Sequence, residues 1–410
     1  MLAGNIKLKT HVQQFRDNAA TDSKTRNQLI LYGLATLIYC MMSAYLGVRG
    51  WQAFGPQLNL PLYIIVLAAL TLVLPVAAYI LDQGREARTF TKIIAYAGFY
   101  WTAFFLYAVL LMLGIDLLRF MEEILDPQLV GLIPKIIPFS LQKALYFVVF
   151  TTFFILAVGT FLARWPRITG YLLSVDKDLA RSRPLRIALL SDIHYGSLVS
   201  TANLKHMCSK IEAQQPDLIL LAGDLIDNSL QLLRRTDFAA QMSSLRAPLG
   251  VFAVLGNHEL VNAEQSETVS FFRSAGIRVL MDEAVDLAGQ VTLVGRNERK
   301  KKASGLEQQM RPGQLLAQAD QGKPVILMQH QPVDLDEFER AGVDLAVAGH
   351  THRGQLFPLN LLNRHKFAQS RRYYHLNQLH SIISSGYGTW GPPIRLGSRS
   401  EIVIIDLVGR

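Results

Sequence analysis

The sequence predicts an α/β C-terminal half preceded by an all-α membrane half, and three observations carry that reading. Short apolar runs at 186–190, 217–222, 251–255, 325–328 and 345–348 lead into clusters of acids, amides and imidazoles. Stretches between them, such as 203–211, mix apolar and polar positions at helical spacing, so strand, polar cluster and helix repeat. Before residue 164, four runs of 20 residues or more, at 29–48, 58–81, 93–115 and 144–163, carry no charge.

Taken in order, residues 1–28 form a polar arm with Lys7, Lys9, Arg16, Lys24 and Arg26, too long and polar for the front of a signal peptide. About 20 helical residues cross a hydrocarbon core of about 30 Å, so the four uncharged runs read as a four-helix transmembrane domain over 29–163. Cations collect in the arm, in the next loop but one (Arg85, Arg88, Lys92), and after the fourth run (Arg164, Arg167, Lys177, Arg181, Arg183, Arg186). The intervening loops hold fewer, Arg49 in the first and Arg119, Lys135 and Lys143 in the third. The positive-inside rule then places both termini and the C-terminal half in the cytoplasm. Residues 164–184 are expected as a basic linker ending at Arg183-Pro184. Proline disfavours helix at the preceding residue, so a strand should begin near Leu185 and open a domain over 185–410.

Composition agrees with this division. The 410 residues suffice for two or three domains, half of them are hydrophobic, and the mean hydropathy of +0.22 is high for a soluble enzyme. A net charge of +9 suits nucleic acid, an anionic membrane surface or an anionic substrate, and does not choose among them. Cys40 and Cys208 have no C-x-x-C neighbour or metal-ligand spacing, which argues against a disulfide framework.

The polar clusters are Asp192-Ile193-His194, Gly223-Asp224-Leu225-Ile226-Asp227, Gly256-Asn257-His258-Glu259, His330 and Gly349-His350-Thr351-His352. Sites in α/β sheets lie beyond the C-terminal ends of strands, so five strand ends can bring O and N donors to one rim. Carboxylate, carboxamide oxygen and imidazole without thiolate suit Mn, Fe or Zn better than Cu(I) or an iron–sulfur cluster. Gly223, Gly256 and Gly349 allow sharp turns where a Cβ would crowd a metal shell. Helices are expected near 201–214, 237–244, 263–274 and 306–319, and further strands at 277–280, 291–294, 381–384 and 402–405.

In this order and spacing the clusters resemble the calcineurin-like metallophosphoesterase superfamily, matching its D-x-H, G-D-x-x-D, G-N-H-[DE], lone His and G-H-x-H from about Leu185 onward. The resemblance implies a sandwich of two mixed β-sheets flanked by helices. It also implies two divalent metal ions, manganese first, with iron, zinc or cobalt as alternatives. Asp192, His194, Asp224 and His352 would bind one ion and Asp224, Asn257, His330 and His350 the other, with Asp224 as the bridge. Two such ions, about 3.5–4 Å apart, hold a phosphoryl oxygen and lower the pKa of a shared water. His258 is implied as the acid–base residue and Asp227 as the carboxylate that orients it. Asp227-Asn228-Ser229 also reads as a helix cap. Glu259 stands where many relatives carry Asp and is assigned no chemistry, while His206, His365, His375 and His380 read as surface or core.

Three stretches bear on substrate. The cationic run 296–302 is either solvated or drawn to anionic lipid headgroups or to a phosphate-rich substrate, and lacks the interleaved aromatics of a nucleic-acid binder. The glycine-rich segment 384–397 resembles the membrane-attached YkuE-like bacterial branch. Its Tyr387, Trp390 and Arg395 either close the last strands or line the mouth beside the metals. Residues 357–372, with Arg364, Lys366, Arg371 and Arg372, are a second expected mouth element facing the bilayer. The resulting expectation is a dimetal phosphoesterase of the bacterial inner membrane acting on a lipid-linked phosphoester or pyrophosphate, such as a UDP-diacylglucosamine-type lipid, a phospholipid or a polyprenyl phosphate. The alternatives are a membrane-tethered phosphoesterase for a soluble nucleotide or phosphoprotein, and a non-catalytic metal-binding sensor or scaffold.

Overall fold

The structure is a computed structural model that describes residue 30 and residues 33–82, 89–124, 140–179, 181–196, 199–227, 230–234, 236–262, 265–298, 301–302, 305–306, 309–361 and 372–409. The arm 1–28, the loop cations Arg85 and Arg88, most of the loop between the last two apolar runs, Asn228-Ser229, and Arg364, Lys366 and Arg371 lie outside the described residues.

Three helices among the described residues are long and apolar enough to cross a membrane, Leu60–Leu81, Phe90–Glu122 and Leu141–Arg164. The first expected run begins outside the described residues, and its described part is helical over 33–54. Ala69–Val73 forms a π-helical turn. Pro75 has no N–H to offer the Thr71 carbonyl, and the Tyr39 hydroxyl donates to that carbonyl instead. Ala108, Met112, Ile115, Ala144 and Val148 form a small buried core between two of the helices. At one edge of it the Arg49 guanidinium meets the Asp116 carboxylate at 2.7 Å.

The catalytic half is built from alternation. In β2 (Leu185–Leu190), Ile187 and Leu189 point into the space between two sheets, while Ala188 and Leu190 point at helices. One sheet joins β1 (Arg167–Val175), β14 (Glu401–Gly409), β2, β3 (Leu218–Ala222), β4 (Val251–Val254) and β5 (Arg278–Val279), in that order. The other joins β12 (Tyr373–Leu376), β13 (Leu379–Ile383), β11 (Leu345–Ala348), β10 (Val325–Met328), β7 (Val291–Gly295) and β6 (Glu283–Leu287). A third, two-stranded sheet pairs β8 (Lys301–Lys302) with β9 (Gly305–Leu306). Both large sheets are mixed, because β14 runs antiparallel to β2, and β6 and β12 run antiparallel to β7 and β13. Leu185, Leu220 and Val254 meet Leu293, Ile326 and Val347 in the core between the sheets. Leu204, Met207 and Phe272 cover one outer face, and Leu315, Leu335 and Phe338 the other. The two mixed sheets flanked by helices are the architecture that the motifs implied.

Two local expectations are corrected. The segment 164–184 is more than a linker, since β1 pairs with β14 along its whole length, from Arg167↔Glu401 to Val175↔Gly409. Its partner lies more than two hundred residues away, so no local pattern announces it. Beyond β1, Lys177 binds Asp344 at 2.7 Å and Arg181 binds Asp217 at 3.1 Å. The helix expected over 306–319 is confined to Pro312–Leu316, with proline at its start where a missing N–H costs nothing. Strands β6 and β12 were not anticipated: they are edge strands with polar, half-exposed sequences that carry no clear apolar period.

Candidate dimetal centre

Five strand ends converge. Asp192 and His194 follow β2, Asp224 and Asp227 follow β3, and Asn257 and His258 open the short helix Asn257–Asn262 after β4. From the second sheet, His330 follows β10, and His350 and His352 follow β11. The acids and imidazoles expected as ligands or as the acid–base pair fall into three groups, the first two sharing His194: Asp192, His194 and His352; His194, Asp227 and His258; and Asp224, His330 and His350, the last with Asn257 beside it. Within each group the ligand atoms lie within 4.8 Å of one another.

In the first group His194 Nε2 is 2.9 Å from His352 Nε2, and Asp192 Oδ1 lies 3.5 Å from the latter. In the third, His330 Nε2 is 3.0 Å from Asp224 Oδ2, 3.2 Å from Asn257 Oδ1 and 3.2 Å from His350 Nδ1. The opposite ring nitrogens are already engaged, His330 Nδ1 with the Ala222 carbonyl at 2.8 Å and His194 Nδ1 with Asp227 at 2.5 Å. Each Nε2 is therefore aimed at another imidazole nitrogen, an arrangement that needs a cation or a proton between the two lone pairs. Burial opposes charge on His194 and His330, yet the surrounding carboxylates hold them up to about 9 and about 10. Burial likewise opposes ionisation of Asp224, but His330, His194 and His258 keep its carboxyl well below the usual range. The donor set fits two divalent ions.

The backbone is shaped for this convergence. Asp192, His194, Asp224, His350 and His352 all adopt left-handed φ values, from 43° to 68°. Non-glycine residues pay on the order of 1 kcal/mol or more each for that region, and such strain gathers at functional sites. No sequence signal announced it. Gly223 has φ +82°, and a Cβ on it would stand 2.6 Å from His330 Nδ1; one on Gly256 would collide with the Asp224 carboxylate. The crowding expected of these glycines is thus present.

Asp227 Oδ1 lies 2.9 Å from His258 Nδ1 as well as 2.5 Å from His194 Nδ1, so one oxygen holds two rings. His258 Nε2 faces Asp224 Oδ2 at 4.0 Å, and its backbone N–H donates to Asp224 Oδ1 at 2.9 Å. Burial works against a charged His258, but Asp227 and Asp224 raise its pKa above the ordinary value.

Glu259, to which the sequence assigned no chemistry, is fully buried and accepts four backbone N–H bonds. They come from Asp224 at 3.0 Å, Leu225 at 2.6 Å, Ile226 at 3.1 Å and Gly256 at 2.7 Å. It ties the β3 turn to the β4 turn. Of the three residues in the glycine-rich segment, two are structural. Arg395 is wholly buried and donates to the carbonyls of Ser385 at 2.6 Å, Gly386 at 3.1 Å and Gly388 at 2.5 Å, with His352 Nδ1 at 3.4 Å. Burial pushes its pKa down to about 10. Tyr387 is buried and donates to the Asn203 carbonyl at 2.8 Å. Trp390 is exposed, with its ring centroid 6.4 Å from that of His258. Arg296, at the head of the cationic run, is buried on the Phe338 ring and paired with Asp334 at 2.8 Å. His375 and His380 stack as a cross-strand pair at 4.4 Å, away from the metal ligands in the fold.

Comparison with known proteins bears on this geometry. The sequence pattern described as Calcineurin-like phosphoesterase matches residues 185–354. An uncharacterized metallophosphoesterase of Aquifex aeolicus is 33% identical over 263 residues, covering 62% of this chain and 98% of that relative. A transmembrane protein with metallophosphoesterase domain from Bos taurus is 29% identical, covering 68% of this chain and 65% of the relative. The phosphodiesterase YaeI of Escherichia coli is 28% identical, covering 60% of this chain and 89% of that protein.

Proposed function

The chain belongs to the calcineurin-like metallophosphoesterase family, a family of metal-dependent phosphoester hydrolases, and from that premise we propose that it is a membrane-embedded dimetal enzyme hydrolysing a lipid-linked phosphoester or pyrophosphate. Asp192, His194, Asp224 and His352 would hold one ion, and Asp224, Asn257, His330 and His350 the other. Manganese suits these oxygen and nitrogen donors. When bound, the ion pair supplies a nucleophilic water at neutral pH and neutralises charge on the phosphoryl oxygens.

The remaining chemistry falls to the chain. Asp227 fixes the Nδ1 edge of His258 at 2.9 Å, which leaves Nε2 turned toward the cleft. From there it donates a proton to the departing oxygen, a step a positioned imidazole accelerates by about 10²–10⁴-fold. Asp227 also holds His194, so ligand and proton donor are set by one carboxylate.

The observation that supports the lipid reading is that Arg164, at the end of an apolar helix, meets Asn203, Thr389 and Pro393 of the catalytic half around a small, water-sized cavity. A cation and polar groups thus stand where that apolar helix ends. The cation count of the loops supports a catalytic half in the cytoplasm, and the membrane we assign is the bacterial inner one.

Two measurements test the proposal. Full-length protein loaded with Mn²⁺ should hydrolyse bis-p-nitrophenyl phosphate, and Asp224→Ala and His258→Ala should each abolish most of that turnover. Mass spectrometry of lipids from cells with and without the protein should show one phosphorylated lipid accumulating in its absence. An unchanged lipid profile would remove the lipid substrate, and no hydrolysis by the metal-loaded protein would remove the enzyme.

A further inference from the structure

The helix Leu141–Arg164 contains 24 residues, so at about 1.5 Å per residue it is roughly 36 Å long, against a hydrocarbon core of about 30 Å. The excess is about one turn of 5.4 Å, so the C-terminal turn ending at Arg164 is the part that reaches the depth of the lipid headgroups. The loop 385–400 is fastened there. Arg395 N donates to the Gly159 carbonyl at 2.9 Å, Ser400 N to Leu162 at 3.2 Å and Arg399 Nε to Trp165 at 3.1 Å. Gly159 admits the loop, since a Cβ there would sit 3.1 Å from Ile394 Cβ.

The same loop is laced to the segment that follows His352. Leu396 N donates to the Gln355 carbonyl at 2.8 Å, and the Gln355 side chain donates to the Trp390 and Pro392 carbonyls at 3.0 and 2.9 Å. In return, Gln355 Oε1 accepts the Trp390 N–H at 3.1 Å. These two laced segments present large apolar side chains to the outside, Trp390 at 58% exposure, Leu359 at 46% and Leu361 at 45%. A folded domain ordinarily withholds such side chains from water when they cluster. Here they border the metal cleft at one end, through Trp390 beside His258, and are tied to a membrane-depth helix end at the other.

We propose that Leu359, Leu361 and Trp390 form a lip that rests in the headgroup–acyl boundary of the bilayer, so that a lipid-borne phosphate passes to the cleft without leaving the membrane surface. Tryptophan favours that boundary because its ring is apolar and its N–H polar. This deepens the lipid-substrate reading and rests on it.

The test uses full-length protein in nanodiscs of phosphatidylethanolamine and phosphatidylglycerol. An environment-sensitive fluorophore is placed on Leu361→Cys in a Cys40→Ser/Cys208→Ser background. The emission should shift to the blue and be quenched by lipids carrying a nitroxide near the headgroup. Emission as in water, or a blue shift without quenching (cover by a second copy or a protein partner), overturns the lip. Kinetics give an independent arm, comparing phosphatidyl-p-nitrophenol in the nanodisc with soluble bis-p-nitrophenyl phosphate, which share a leaving group. Leu359→Glu/Leu361→Glu should lower kcat/KM about tenfold on the lipid and leave the soluble diester within twofold. Equal effects on both substrates, or no effect on either, would overturn it. If the wild type ignores every lipid ester yet cleaves the soluble one, the lipid-substrate reading fails, whereas the quenching result still decides where the lip lies.

Discussion

The Glu259 carboxylate accepts the backbone N–H of Asp224 at 3.0 Å, from a position 35 residues away in the chain. With its bonds to Leu225, Ile226 and Gly256, it joins the turn that presents the expected bridging ligand to the turn that presents Asn257 and His258. Removing a buried acceptor strands each donor at about 1–3 kcal/mol, less what the site relaxes. Glu259→Ala is therefore expected to cost about 3 kcal/mol or more of stability and to lower metal content. Thermal unfolding and metal analysis on the same preparation would check both, and Glu259→Asp should recover part of each.

Ligand and proton donor should separate experimentally. Asp224→Asn is expected to lose bound metal and turnover together. His258→Gln should keep both ions by elemental analysis while kcat drops about 10²–10⁴-fold. Loss of metal in the histidine variant would make it a ligand instead.

Arg395 behaves as a buried clamp. Its guanidinium holds three carbonyls in the loop that crosses beside His352, and a methionine of similar length would take that donor from all three, of which the Gly386 carbonyl also accepts the Glu401 N–H. Arg395→Met is expected to destabilise the catalytic half by several kcal/mol, and Arg395→Lys to rescue little, because an ammonium cannot reproduce the planar fork. Chemical denaturation of both variants would show it.

Trp390 has the opposite character. Exposed beside His258, it should contribute to holding substrate and little to folding. Trp390→Ala is predicted to raise KM several-fold, with kcat, metal content and melting temperature nearly unchanged.

Acid should loosen the start of the catalytic half at Asp217. Burial opposes ionisation there, but the Arg186 amide and the Arg183 and Arg181 side chains overcome it and lower the pKa. A depressed folded-state pKa gives stability that is present above the unfolded value of about 4 and lost as pH falls through the folded one. Asp217→Asn should thus melt lower than wild type at pH 7, and the gap should narrow below about pH 4.

The chain's own order of residues determined which acids, amides and imidazoles meet at the candidate metal centre, the strands that carry them and the apolar helices. Each of those depends on neighbours a few positions apart: an apolar run, a turn glycine, a donor just past the strand. Tertiary structure alone decided the rest. Strand β1 exists because Glu401–Gly409 lies beside it, and nothing within 164–184 names that partner. Glu259 and Arg395 read as an unassigned acid and an undecided cation until folding surrounded them with amide and carbonyl groups from other turns. The left-handed φ values of Asp192, His194, Asp224, His350 and His352 belong to the same class. No residue there prefers that conformation by itself, and only the packed sheets on either side can hold the backbone in it.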